Sequence, residues 1–183
     1  MMASIAADRT DEPRPGTTVP DQGLLEAAFE EHYRSLVRLA SLLLDDVATC
    51  EEVVQDAFVH VWRRPPALRD ETRLAAYLRS AVLNGARSQL RRRGVRRRHL
   101  RSVGPPPTAP AAEATALAGD ADDAVLRALR ALPDRQREVL ALRYYLDLSE
   151  AEIAATLGVS AGSVKTHAHR GLRALAEALE GHQ

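Results

Sequence analysis

Apolar residues recur at helical spacing along most of the chain, and this pattern predicts a protein built from helices alone. In the N-terminal half the spacing predicts a first helix from Gly23 to Leu44 and a second from about Val47 to Arg63. The buried stripe of the second helix is expected to consist of Val54, Ala57, Phe58 and Val61, joined by Trp62. A third helix is expected to begin near Thr72 and to run into a stretch of arginines. Two adjacent aspartates separate the first two helices, and two adjacent prolines end the second.

Residues 120–183 predict four short helices that share one small core. The first ends at Pro133, Asp134 is expected to cap the second, and the last two lie in Ser149–Leu175. The expected core consists of apolar residues from the last three of these helices: Val139, Leu140, Leu142, Ile153, Leu157, Val159, Val164 and Leu172. A helical domain of this size is only marginally stable.

The stretch Ser149–Leu175 carries the clearest local pattern, two helices joined by a tight turn. Ser149 and Glu152 have the spacing of a capping box, which opens a helix. Gly158 can end that helix in the left-handed conformation, and Ser160 can cap the next one. The pattern favours a DNA-binding helix-turn-helix, and an amphipathic hairpin in an ordinary helical bundle is the alternative.

The last helix divides into an apolar arc and a cationic arc. The apolar arc consists of Val164, Ala168, Leu172, Leu175 and Leu179. The opposite arc consists of Ser163, Thr166, Arg170 and Arg173, with Lys165 and His167 on its flanks. A polar, cationic helix face of this kind suits the major groove of DNA.

These elements predict an all-α fold of two small helical domains joined by a flexible linker. Residues 1–21 are rich in Pro, Asp and Thr and are expected to form a disordered tail. Residues 22–101 form the first domain, and residues 120–183 form the second, which contains the helix-turn-helix. Residues 102–119 between them are rich in Pro and Ala and show no sustained period, as expected of a linker.

Composition narrows the setting in which the protein acts. No apolar run approaches the roughly 20 residues of a membrane span, and the N-terminus lacks the apolar core of a secretory signal. Cys50 is the only cysteine among 183 residues, so an intrachain disulfide cannot form. We therefore expect a protein of the reducing cytoplasm that is not inserted into a membrane.

The net charge of zero hides a strong segregation of charge along the chain. Residues 1–60 carry 12 acids and 4 bases, residues 61–101 carry 2 acids and 13 bases, and residues 102–183 carry 11 acids and 8 bases. On the second helix, Glu52, Gln55 and Asp56 form an acidic and polar face with Glu51 at its edge. A solvated helix face explains that patch as well as a protein interface does.

The arginines of the third helix point to nucleic acid as a partner. Eight of them lie between Arg87 and Arg101, and the first are held on an amphipathic helix. Arginine forks suit phosphate contacts, which give affinity without sequence information. A solvated tail or an RNA-binding patch is the alternative. The chain shows no catalytic constellation, no phosphate-binding loop and no metal-ligand spacing, which argues against an enzyme or a cofactor.

Three segments resemble those of bacterial RNA polymerase sigma factors of the sigma-70 family, most closely the extracytoplasmic-function (ECF) group. The resemblance to region 4 lies in LPDRQREVLALRYYLDLSEAEIAATLGVSAGSVKTHAHRGLRAL. EEVVQDAFVHVWRR resembles the region 2 helix that docks on the core polymerase, and AYLRSAVLNGARSQLRRR resembles the segment that melts and reads the −10 element. The resemblance covers about Leu24–Arg101 and Asp120–Leu179.

The resemblance implies a promoter-specificity subunit that binds core RNA polymerase, recognises the −35 and −10 elements and helps to melt the promoter. Its partners would be the β′ clamp helices and the β flap of the polymerase, promoter DNA and an anti-sigma factor. The implied polymerase contacts are Glu51, Glu52, Gln55 and Asp56. The implied −10 contacts are Tyr77, Arg79, Asn84, Arg87, Arg91, Arg92 and Arg93, with Asn84 meeting a flipped base. The implied −35 contacts are Ser160, Ser163, Lys165, Thr166, His167, Arg170 and Arg173.

The chain departs from the family pattern within the −10 segment. Tyr77 stands where many members have Trp, and Leu83 replaces an Arg. Gly85 lowers local helix propensity by up to about 1 kcal/mol relative to Ala.

Two other functions remain open from the residues alone. LuxR-type regulators share a similar C-terminal hairpin, so a stand-alone transcriptional regulator is the main alternative. That alternative leaves the acidic second helix around Trp62 and the arginine-rich third helix unexplained. An RNA-binding protein driven by the arginine run is the other, although RNA recognition would not require a helix-turn-helix.

Overall fold

The computed structural model describes residues 22–63, 71–103 and 120–180, and every regular element among them is helical. The helices are α1 Gln22–Leu43, α2 Val47–Arg63, α3 Glu71–Val103, α4 Asp120–Ala131, α5 Asp134–Leu140, α6 Glu150–Leu157 and α7 Ala161–Glu180. A π-helical turn at Ala141–Tyr145 continues α5. The all-α prediction is confirmed. The predicted tail 1–21 and all but the first two residues of the predicted linker 102–119 lie outside the described residues.

Helices α1, α2 and α3 pack together as one unit. Leu36 and Leu39 of α1, Val54 of α2 and Leu78 of α3 are almost completely removed from solvent. The two aspartates between α1 and α2 break the chain as predicted. The carboxylate of Asp46 caps α2, since its Oδ2 accepts a hydrogen bond from the backbone N–H of Thr49 at 2.9 Å and another from the Thr49 hydroxyl.

Helices α2 and α3 approach closely at Gly85. A Cβ atom built on Gly85 would lie 2.7 Å from Cγ1 of Val53, closer than real Cβ atoms come to a neighbour. The glycine that lowers helix propensity in the sequence is therefore the residue that allows the two helices to touch.

Helices α4 to α7 form the second unit, which contains the predicted helix-turn-helix. Ser149 accepts a hydrogen bond from the backbone N–H of Glu152, and its own N–H donates to Glu152 Oε2 at 2.9 Å, which confirms the capping box. Gly158 ends α6 at a φ of 65°. Ser160 caps α7, where its Oγ accepts from the N–H of Ser163 at 3.1 Å.

Two predictions about this unit are wrong. Leu172 is 42% exposed rather than buried, because α7 meets α5 through Gly171. A Cβ on Gly171 would lie 3.1 Å from Leu140 Cδ1, so the glycine turns inward and Leu172 turns outward. Asp134 does not cap α5 either. Pro133 occupies the cap position without a side-chain hydrogen bond, and the Asp134 carboxylate instead pairs with Arg137 at 2.6 Å.

The two units share a continuous hydrophobic core. Buried residues from α1 to α3 belong to the same cluster as Leu142, Ile153 and Val164 of the second unit. Polar contacts accompany this packing, since the Arg130 guanidinium of α4 donates to the carbonyl oxygen of Ser41 in α1 at 2.6 and 3.1 Å. The boundaries of the two predicted domains remain a prediction.

Candidate nucleic-acid interface

The solvent face of α7 carries most of the residues expected at a −35 element. Lys165, Thr166, Arg170 and Arg173 are all exposed. Thr166, Arg170 and Arg173 are spaced four and three residues apart and lie along one side of the helix, with Lys165 on the flank. Opposite them, Val164, Ala168 and Gly171 are buried against the rest of the unit. The arrangement leaves a cationic helix face free to enter a groove.

The two histidines of α7 differ in position. His167 is half-buried at the edge of the face, and its Nδ1 is buried without a hydrogen-bond partner. His169 is exposed between Thr166 and Arg170 in the sequence, although it is not among the predicted −35 contacts. The buried stripe of α7, which includes Gly171, determines which of the two histidines is exposed. Because glycine has no apolar side chain, the hydrophobic pattern of the sequence does not show that Gly171 belongs to this stripe.

The two serines at the start of α7 are partly engaged in the cap. Ser160 is exposed and Ser163 is half-buried, and their hydroxyl oxygens lie 2.9 Å apart. Lys165 Nζ lies 3.6 Å from Glu150 Oε2, a weak exposed pair that leaves the ammonium group available to solvent.

On α3, Asn84 is exposed beside an arginine that is held in place. The Asn84 Oδ1 accepts a hydrogen bond from Nη1 of Arg87 at 2.9 Å. Arg87 also donates from Nε and Nη2 to the two carboxylate oxygens of Glu138 in α5, at 2.5 and 2.7 Å. The Glu138 side chain is only 3% exposed, so the carboxylate is buried between the two units, whereas 20% of the Arg87 side chain stays exposed.

The expected −10 arginines near the end of the described part of α3 differ in their surroundings. Arg91 and Arg92 are exposed. Arg93 pairs with Asp45 and donates to the Thr49 hydroxyl at 3.3 Å, which ties it to the start of α2. Burial alone would raise the pKa of Asp45, yet the hydrogen bond and charge of Arg93 lower that pKa overall.

Arg79 faces the second unit. Its guanidinium is half-buried, and its Nε is buried without a hydrogen-bond partner. Burial lowers the pKa of Arg79, while the nearby Glu152 carboxylate acts in the opposite direction. The hydroxyl oxygen of the next residue, Ser80, lies 3.0 Å from the carbonyl oxygen of Ala76 in its own helix and 3.3 Å from that of Thr156 in α6.

A groove of about 390 Å³ runs between α2 and α3 beside Asn84. Tyr77 lies at its side, with its ring stacked on that of His60 at a centroid distance of 6.4 Å and an angle of 10°. Val53 and Ala57 also line the groove. Polar side chains from both helices complete the lining: Asp56, Ser80, Ser88, Gln89 and Arg92.

The exposed face of α2 combines acids with apolar side chains. Glu51, Glu52, Gln55 and Asp56 are all exposed, while the opposite side of the helix is buried. Trp62 is 47% exposed and, by helical spacing, continues the Glu52 side of the helix with Val59. The prediction that Trp62 joins the buried stripe of this helix is wrong. Aromatic residues are enriched at protein interfaces, so the exposed Trp62 ring makes this face a candidate protein-binding surface.

Two protein-family models match the chain, and together they cover most of the helices described above. Residues 28–96 match sigma-70 region 2. Residues 122–175 match sigma-70 region 4.

Known proteins give the same result over longer spans. The RNA polymerase sigma-E factor of Streptomyces avermitilis is 34% identical over 157 residues, which are 83% of this chain and 85% of that protein. The ECF RNA polymerase sigma factor SigL of Mycobacterium tuberculosis is 31% identical over 164 residues, which are 87% of this chain and 91% of that protein.

Solved structures share the arrangement of the helices. The sigma factor RpoE from Bartonella quintana, crystallised with the anti-sigma factor NepR, superposes with a TM-score of 0.67 at 25% identity, over 85% of this chain and 96% of that one. CnrH, solved in complex with the cytosolic domain of CnrY, gives a TM-score of 0.65 at 24% identity, over 90% and 92% of the two chains.

Proposed function

The chain belongs to the sigma-70 family of RNA polymerase sigma factors, in its ECF group, and from that membership we propose which of its surfaces bind the polymerase and which bind promoter DNA. It is a promoter-specificity subunit, which binds core RNA polymerase and directs it to promoter DNA. The comparisons lend no support to a stand-alone LuxR-like regulator. The test of the whole assignment is run-off transcription from genomic promoters by core polymerase, with and without the purified chain. Failure to bind the core enzyme would contradict it.

The exposed face of α2 is the proposed polymerase-binding surface, with Glu51, Glu52, Gln55 and Asp56 on the β′ clamp helices. The observation that carries this proposal is the exposure of these side chains beside Trp62, on a helix whose other side is buried. The double variant Glu52→Lys/Asp56→Lys should weaken core binding by at least about tenfold, since like charges across an interface cost several kcal/mol. The matched control reverses Glu26 and Glu30, two exposed acids of α1. Equal weakening by both pairs would indicate a non-specific charge effect.

The α3 helix and the groove beside it are the proposed −10 interface. Asn84 would read a flipped base, since its side chain is exposed at the rim of a groove with Tyr77 on its wall. Arg91 and Arg92, which are exposed, would bind the backbone of the melted strand. Asn84→Ala is expected to reduce open-complex formation at promoters while leaving core binding intact. Potassium permanganate footprinting of the melted strand distinguishes the two effects.

The cationic face of α7 is the proposed −35 interface. Lys165, Thr166, Arg170 and Arg173 are the contacts from the sequence that the exposure pattern supports most directly, and His169 joins them. Ser160, Ser163 and His167 remain candidates at the start and edge of the face. Arg170→Ala is expected to cost about 1–3 kcal/mol at the −35 element if the side chain binds a base edge bidentately. Equal weakening on random duplex DNA would show that it touches only phosphate.

We further propose that an anti-sigma factor regulates this chain, that the chain acts in the cytoplasm and that it has no catalytic activity of its own. The first point is supported by the structural likeness to RpoE, which was crystallised with NepR. In the described part of the chain, no helix is long and apolar enough to cross a membrane. The same residues contain no cluster of three or more metal-binding side chains. Affinity purification of the tagged chain from its own cells tests the expected regulator.

A further inference from the structure

Glu150 links the DNA-facing helix α7 to the π-helical turn that follows α5. Its Oε1 accepts a hydrogen bond from Nη2 of Arg143 at 2.9 Å, and its Oε2 lies 3.6 Å from Nζ of Lys165. The two carboxylate oxygens are therefore divided between a cation of the π-helical turn and a cation of α7. The three side chains form a row of alternating charge that ends at the proposed −35 interface.

The Arg143 end of this row is the fixed one. Arg143 follows a buried leucine in the turn, and both Arg143 and Glu150 are half-buried, whereas Lys165 is exposed. Glu150 is the first residue of α6, and the capping box of that helix is made by Ser149 and Glu152. The Glu150 carboxylate is therefore not required for the cap, and Arg143 holds it in a defined place beside the lysine.

A carboxylate at this place affects the possible DNA partners of Lys165 unequally. The lysine ammonium is a mobile point charge on a flexible stem, and it can bind either a phosphate or the acceptor atoms of a base. A phosphate carries a negative charge that the Glu150 carboxylate repels, whereas a base edge carries no net charge. Glu150 therefore disfavours the contact that carries no sequence information more than the contact that reads sequence.

We propose that Glu150 is a specificity-determining residue, which directs Lys165 to a base edge of the −35 element and away from the DNA backbone. The inference rests on the −35 role proposed above for α7. Lysine binds guanine through its O6 and N7 acceptors, so the base pair that Lys165 reads is expected to be G·C. Exposed ion pairs add little to stability, so removing the Glu150 charge should leave the fold intact.

The test uses holoenzyme reconstituted from core polymerase and the full chain. A duplex library is randomised across the −35 region of a promoter found by run-off transcription, and sequencing of the bound fraction gives the base preference at each position. The position that Lys165 reads is the one whose preference Lys165→Ala removes. Glu150→Gln keeps the side-chain size but removes the charge, and it should reduce that preference at least about fivefold, the lower limit for one good base contact. An unchanged preference in Glu150→Gln would overturn the proposal.

Binding of the full chain to a random duplex distinguishes a redirected lysine from a lost one. Without the carboxylate, Lys165 can pair with a phosphate. Glu150→Gln should therefore bind the random duplex more tightly, and its slope of log K against log salt should steepen by about 0.9, the value for one phosphate. Lys165→Ala should do neither. A salt slope of Glu150→Gln equal to that of the wild type would refute the proposed repulsion of phosphate.

Glu177→Gln is the matched control on α7. Glu177 lies 3.5 Å from Arg173 of the same helix, and both side chains are exposed, so the carboxylate has no fixed place like that of Glu150. This variant removes the same charge and should leave the base preference at every −35 position unchanged. Equal loss of preference in Glu150→Gln and Glu177→Gln would mean that net charge is responsible, and it would contradict the proposal.

Arg143→Gln tests the fixed end of the row, and it keeps the proposal testable if Glu150→Gln loses helicity in circular dichroism. Without Arg143 the carboxylate loses its hydrogen-bond partner at 2.9 Å, so the preference at the Lys165 position should fall although the charge of Glu150 remains. A direct phosphate contact by Arg143 would weaken the binding of all sequences equally. Uniformly weaker binding with an unchanged preference would therefore count against the proposal.

The same library separates this inference from the proposed −35 role. If neither Lys165→Ala nor Arg170→Ala changes the preference at any position, α7 does not read the element and the proposed role fails. If Arg170→Ala changes the preference but Lys165→Ala does not, the role stands and Glu150 has no base-reading lysine to direct. If Lys165→Ala changes it while Glu150→Gln does not, the role again stands and the proposed action of Glu150 is refuted.

Discussion

Two glycines in α3 provide a matched test of how closely α2 and α3 pack. Replacing either Gly85 or Gly94 by Ala should gain about 0.8–1.0 kcal/mol of helix propensity. At Gly94 nothing lies within 4 Å of the new Cβ, so we expect the full gain. At Gly85 the Cβ would lie 2.7 Å from Cγ1 of Val53, a residue only 4% exposed, and overpacking of a core costs about 1–3 kcal/mol.

The two substitutions should therefore change stability in opposite directions or, at the lower limit, by clearly different amounts. Gly94→Ala should stabilise the chain by about 1 kcal/mol, whereas the balance of terms gives Gly85→Ala a net loss of about 0–2 kcal/mol. Urea denaturation followed by circular dichroism measures both through the midpoint at constant m-value. If Gly85→Ala stabilises as much as Gly94→Ala, the close approach of the two helices is refuted.

A double-mutant cycle identifies the atom responsible. Val53→Ala removes the methyl group that the new Cβ would meet. The double variant Gly85→Ala/Val53→Ala should therefore be more stable than the sum of the single effects by about 0.5–3 kcal/mol. Additive effects would mean that the loss at Gly85 arises elsewhere. Because Asn84, the proposed −10 base contact, precedes Gly85, the single variant should also reduce open-complex formation, and Val53→Ala should restore part of it.

Three further predictions concern single side chains. Asp46→Ala should destabilise α2 by about 0.5–2 kcal/mol, whereas Asp46→Asn should retain most of the cap. Hydrogen bonds from the Thr49 hydroxyl and N–H lower the pKa of Asp46. The stabilisation by this cap is therefore present above the ordinary carboxyl pKa and is lost as the pH falls through the lowered pKa. Acid unfolding curves of the wild type and the two variants measure this loss. Burial raises the pKa of Cys50 to about 11, so its thiol should react with Ellman's reagent at pH 8 far more slowly than in the urea-unfolded chain, and equal rates would contradict its burial. His169→Ala should weaken binding to −35 duplex DNA more than His167→Ala does in electrophoretic mobility shifts, and the reverse order would restore the original choice of His167.

Local signals were sufficient for most of the fold. Aspartates, prolines, a capping box and a left-handed glycine mark the ends of helices within a few residues, so the bounds of α2 and the hairpin turn were predictable. The burial of individual side chains was harder to predict. Leu172 lies on the apolar arc of an ideal helix, but contact with α5 selects Gly171 for the interior, and that selection also brings His169 rather than His167 to the solvent face.

Contacts between the two units lay beyond prediction from the sequence. The arginine run indicated anion binding, and Arg87 was expected at DNA. Its pairing with Glu138 depends on how α5 packs against α3, which no local pattern encodes. The burial predicted for Trp62 was wrong for a related reason. An aromatic residue beside a buried stripe is expected to lie in the core unless the packing of the neighbouring helices shows that they leave it uncovered.

The continuous core between the two units makes their packing sensitive to temperature. Separation of the units exposes apolar side chains that α1 and α3 share with Leu142 and Ile153, so it should carry a positive change in heat capacity. On cooling, the hydrophobic stabilisation of the contact between the two units weakens. The free-energy cost of desolvating the Glu138–Arg87 pair rises at the same time. Both trends weaken the contact between the two units at low temperature. The contact between the two units should therefore loosen in the cold.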